Sequence, residues 1–118
     1  MLIGFRMRTV PAGSVPATGE KEFLQLVTLK HKKGAYLKAH AHVPKRRVTA
    51  RLQECLYVKK GRIRLDLYGT DKKCFKRIYL KVGDLYFSLR GGIGIHVLED
   101  AEMLEFKNGP FKEDKVLI

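Results

Sequence analysis

The chain has 118 residues, with 24 lysines and arginines against 12 acidic residues and a formal charge of +12 with histidine neutral. That length fits one domain spanning residues 1–118, able to bury roughly two-thirds of its unfolded surface without staples. Two cysteines are too few for a disulfide-built scaffold, and no apolar run reaches the roughly 18 residues of a spanning helix, so no membrane partner is expected. The first residues lack the apolar core of a secretion signal, which makes a cytoplasmic location the expectation.

In chain order, residues 1–20 hold Pro11, Gly13, Pro16 and Gly19 and read as an irregular arm ahead of a barrel core over 23–108. A largely apolar run over 23–29 predicts the first strand. Residues 35–42 alternate, with Tyr36, Lys38, His40 and His42 on one face and Leu37, Ala39 and Ala41 on the other. Residues 44–53 are polar, basic and aperiodic, which predicts a loop. Strands follow over 54–58 and 62–68, the second with Ile63, Leu65 and Leu67 on its apolar face. After the turn at Gly69-Thr70-Asp71 come strands over 74–80 and 85–89, separated by Val82-Gly83-Asp84. Gly91, Gly92 and Gly94 predict a flexible loop before His96, and a last strand covers 102–107. Short strands divided by turn signals, with no helical period, indicate an all-β sandwich or barrel. Cys55 and Cys74 lie in apolar alternating segments and read as buried free thiols, with a single disulfide as the alternative.

His40 and His42, two apart on a strand, project from one face with Cα atoms about 6–7 Å apart. Imidazole nitrogens bind a metal at roughly 2.0–2.1 Å, so that separation suits a single ion. Glu54 heads the apolar face of the next strand, where an unpaired carboxylate would be costly and a cation would remove the cost. His96, beyond the glycines, supplies a fourth candidate ligand. Three imidazoles and one carboxylate suit a divalent transition metal such as Fe, Mn, Ni, Co or Zn. His31, in a lysine-rich turn, reads as an ordinary surface residue.

These residues resemble those of a small single-domain cupin. Gly34, five residues, His40-Ala41-His42, then Glu54, six residues and Gly61 are similar to the family's first motif. Gly83-Asp84 and His96 are similar to the second, with Leu89-Arg90-Gly91 in the place of Pro-x-Gly and Asp100 where an asparagine often falls. The resemblance implies a double-stranded β-helix, or jelly-roll, barrel with His40, His42, Glu54 and His96 on the metal. It also implies a homodimer, to which residues 1–20 would contribute an exchanged arm. The chain departs from the family pattern in having eleven residues between His42 and Glu54, and two extra residues before His96.

The eleven-residue insertion is basic and carries Arg46, Arg47 and Arg51, while Arg90 stands beside the second glycine loop. With Lys38 and Tyr36 on the histidine face, these residues are expected to bind a small anionic ligand, guanidinium forks matching carboxylate or phosphate. Specific nucleic-acid binding is not expected, because no RNP-like motif, GXXG loop or recognition helix occurs. Three functional classes fit. The first is a metal-dependent isomerase or dioxygenase acting on a sugar derivative or a keto or hydroxy acid. The second is a metal-independent sugar-nucleotide isomerase or epimerase. The third is a binding barrel without chemistry. The Gly109-Pro110-Phe111 tail resembles the ending of small cupins of carbohydrate metabolism. No catalytic residue is assigned.

Overall fold

The computed structural model describes residues 2–118, which form nine β-strands and, among the described residues, no helix. In chain order these are β1 (Gly4–Met7), β2 (Gly13–Pro16), β3 (Val27–Lys30), β4 (Glu54–Lys60), β5 (Arg62–Tyr68), β6 (Cys74–Lys81), β7 (Leu85–Ser88), β8 (Gly92–Val97) and β9 (Glu102–Lys107). A four-stranded sheet has the order β1-β7-β4-β9, a three-stranded sheet the order β6-β5-β8, and β2 pairs with β3 alone. All pairings are antiparallel. From β4 onward the chain passes back and forth between the two larger sheets, which curl into half a barrel. No helix long and apolar enough to cross a membrane occurs among the described residues.

Alternation decides what lies between the sheets. On β5, Ile63, Leu65 and Leu67 face inward and meet Leu80 of β6, while Leu56 and Val58 of β4 and Tyr86 of β7 close the core from the other sheet. The corner from β4 to β5 turns at Gly61, whose φ of +82° disfavours any side chain. A Cβ there would also run into the backbone of Asp100 and Ala101. A second, smaller core lies on the outer side of the four-stranded sheet, where Cys55, Phe87 and Leu89 are covered by Phe5, Leu24 and Leu26. Buried Gln53 ties that cover down. Its side-chain carbonyl accepts from the Leu24 N–H at 2.9 Å, its amide nitrogen donates to Glu22 at 2.6 Å, and its backbone N–H donates to Asn108 at 2.7 Å.

The strands expected over 62–68 and 102–107 appear as β5 and β9 with those bounds. Four expectations are corrected. The N-terminal arm contains two strands, because Phe5 stacks on Phe87 with ring centroids 5.4 Å apart and Arg8 reaches buried Asp84 at 3.0 Å. The glycine loop is strand β8, since Gly92 and Gly94 fall on its outer face while Ile93, Ile95 and Val97 pair with Leu67, Leu65 and Ile63. Cys55 is a buried free thiol, but Cys74 is exposed, at the β6 end where the register shifts. Residues 35–42 form no strand, and residues 31–52 are exposed throughout. The face carrying Leu37, Ala39 and Ala41 has one large apolar side chain, too little burial to offset the entropy of ordering an added strand.

Candidate ligand site

Glu54 opens β4 on the same face as Leu56 and Val58, at the end of the inner core. Its cross-strand partner is Lys107 of β9, whose ammonium lies 3.7 Å from the Glu54 carboxylate and 3.1 Å from Glu105. Burial pushes the Glu54 carboxyl above its usual range, Glu105 adds to that, and Lys107 opposes it. Glu105 in turn holds the Lys107 ammonium more firmly protonated.

Beside this pair opens a cleft of about 610 Å³ between residues 49–52 and the chain from Lys107 to Lys115. Arg51, Lys107, Lys112 and Lys115 line it together with Glu54, Glu113 and Asp114. Arg51 is held from two sides, its guanidinium 5.5 Å over the Phe23 ring and its carbonyl accepting from Asn108 at 3.0 Å. Because Asn108 also takes the Gln53 N–H, the inserted loop and the C-terminal tail share one anchor. The cleft volume falls in the range of about 300–1,000 Å³ common to small-molecule sites.

The residues singled out in the sequence are distributed unevenly. Glu54 and Arg51 share the cleft, whereas Tyr36, Lys38, Arg47 and Arg90 do not line it. His40 and His42 sit together on the exposed stretch, with ring centroids 5.1 Å apart and edge-on. His40 Nδ1 donates to the Lys38 carbonyl at 3.0 Å, which leaves Nε2 as the nitrogen available to a ligand. His96 lies directly across from Arg64 on the outer face of the three-stranded sheet, its Nε2 2.9 Å from Asp66. Register parity therefore puts His96 and Glu54 on surfaces that face apart. Among the described residues, no group of three or more His, Cys, Asp and Glu side chains is placed to hold a metal.

Three residues of consequence had no clear signal in the sequence. Asp66 sits on the polar face of β5 as alternation allows, yet it is 4% exposed and takes Arg64, Arg77 and His96 together. Gln53 lies in the stretch expected to be a loop, and Asn108 directly follows the last expected strand. No protein-family model matches the chain, nor does any curated protein or any solved structure.

Proposed function

We propose that the chain is a cupin-type barrel that binds a small anionic molecule, a sugar derivative or a keto or hydroxy acid, in the cleft beside Glu54. The observation that carries this reading is the gathering of Arg51, Lys107, Lys112 and Lys115, which outnumber the carboxylates of Glu54, Glu113 and Asp114, in a concave site of suitable volume. Cations at a partly enclosed mouth attract an anion, and an anchored guanidinium fixes its orientation at less entropic cost than a free one. Glu54, whose burial favours the neutral form, would accept a hydrogen bond from a ligand hydroxyl or donate one when protonated. This is a binding function, with isomerase chemistry as its natural extension. Calorimetric titration with sugar phosphates and keto acids tests it. Arg51→Ala should weaken any ligand at least tenfold, and an unchanged affinity would remove the cleft from consideration.

A second reading, a metal-dependent cupin, is favoured by the adjacent His40 and His42 rings, with Nε2 of His40 not used in the bond to Lys38. A divalent transition metal would be held there by two imidazoles, and it would supply Lewis acidity to a bound ligand. Metal analysis of untagged protein after reconstitution separates the readings. Less than about 0.2 equivalents of any transition metal would leave only the binding function.

A further inference from the structure

The outer face of the three-stranded sheet has no place in that function. Cross-strand register puts Arg64 beside Tyr79 and His96, Asp66 beside Arg77 and Gly94, and Arg62 beside Lys81, all on one side. Asp66 is the hub. Its carboxylate accepts from Arg64 Nε at 2.9 Å and Nη2 at 3.3 Å, lies 3.3 Å from Arg77 Nε, and meets His96 at 2.9 Å. One buried carboxylate thus holds two guanidinium groups and an imidazole in fixed positions, leaving the cluster positive. The Arg77 side chain remains 61% exposed and Tyr79 53% exposed. At Gly94 the sheet carries no side chain, and a Cβ there would meet the Tyr68 ring at 3.7 Å. The result is a gap in the side-chain layer with a tyrosine ring beside it.

We infer that this face binds single-stranded nucleic acid, the arginines taking the phosphodiester backbone and Tyr79 stacking on a base. The cations of this face are spread over two strands, Arg62 and Arg64 on β5 with Arg77 and Lys81 on β6, and same-face neighbours along a strand stand about 6.8 Å apart. Four cations distributed over two neighbouring strands fit a polymer of anions better than a lone phosphate. Guanidinium groups already oriented by Asp66 lose less entropy on binding than free ones. A three-stranded sheet face is too broad to enter the major groove of a duplex, whereas bases splayed from a single strand can stack on an exposed ring such as Tyr79. The sequence showed no linear motif because the face is assembled from three strands. It lies away from the Glu54 cleft and does not depend on that reading.

The test is fluorescence anisotropy with labelled oligo-dT and oligo-U of about 20 nucleotides, long enough to span one such platform. Affinity should fall with salt at a log–log slope of about −2, as expected for three phosphate contacts on a single strand. Arg77→Ala should reduce that slope by about 0.7. Tyr79→Ala should weaken binding about tenfold with the slope unchanged. Both side chains are more than half exposed, so both variants should fold. Lys112→Ala, in the cleft, should bind as wild type does. Absence of binding at low salt would overturn the inference. So would wild-type affinity in both face variants. Heparin or anionic vesicles bound as tightly, with no effect of Tyr79→Ala, would show unspecific charge attraction and overturn it as well.

Discussion

Strand β5 lies between β6 and β8 with Ile63 and Leu65 fully buried, whereas residues 31–52 run exposed from the end of β3 almost to β4. Within them, β5 and residues 35–42 both alternate polar and apolar residues, so alternation does not separate them. Payload does. β5 presents three large aliphatic side chains to the core, and 35–42 presents one leucine and two alanines. Fully burying a leucine or isoleucine is worth about 1.5–3 kcal/mol, while an alanine contributes far less against the same backbone entropy. Alternation proposes a strand, and apolar volume decides whether one forms.

Paired truncations break or sharpen this contrast. Leu65→Ala should cost about 2–5 kcal/mol in urea unfolding, and Leu37→Ala should stay within about 0.5 kcal/mol of wild type. A comparable loss at Leu37 would mean that the stretch packs against something. Limited proteolysis checks the same point, since trypsin should cut among Lys32 to Arg51 before any bond within β4 to β9.

Asp66→Asn is expected to lower stability next most strongly, because it leaves Arg64 and Arg77 side by side without their carboxylate. The pH dependence has a definite sign. Burial alone would raise the Asp66 carboxyl, but hydrogen bonds and charge from Arg64 and His96 outweigh it and hold the group below its ordinary 3.8. Its contribution is therefore present above pH 3.8 and lost as pH falls through the lowered value. Acid titration of stability should show a drop in wild type that is shallower in the variant.

Smaller effects belong to the cleft. Arg51→Ala should reduce ligand affinity about tenfold, or about 1.4 kcal/mol, with stability little changed. Glu54 has the opposite linkage to Asp66. Its carboxyl is raised from 4.5, first by burial and then by Glu105, so the stability it confers is full below pH 4.5 and lost as pH rises through the raised value. Glu54→Gln should gain less than about 1 kcal/mol on wild type at neutral pH, and nothing in acid, by chemical denaturation.

Much of the sheet framework was legible because β4 to β7 and β9 combine strong alternation with turn residues at their ends. The glycines of β8 concealed a strand, since Gly92 and Gly94 occupy its outward positions and look like a loop in one dimension. His96 could be named as a chemically interesting residue, but its partner could not. Asp66 is thirty residues away, and register parity, not spacing, sets which face each occupies. Arg51 and Glu54 were legible as types, while the cleft joining them depends on Asn108 bringing the tail to the inserted loop.

The most direct measurement is a two-dimensional amide NMR titration with a sugar phosphate and a keto acid, each carried to about 10 mM to reach weak affinities. The account predicts saturable shifts at Arg51, Leu52 and Glu54 and along Lys107 to Lys115, with the outer face of the β6-β5-β8 sheet unmoved. Shifts confined to residues 31–42, or none with either ligand, would contradict it.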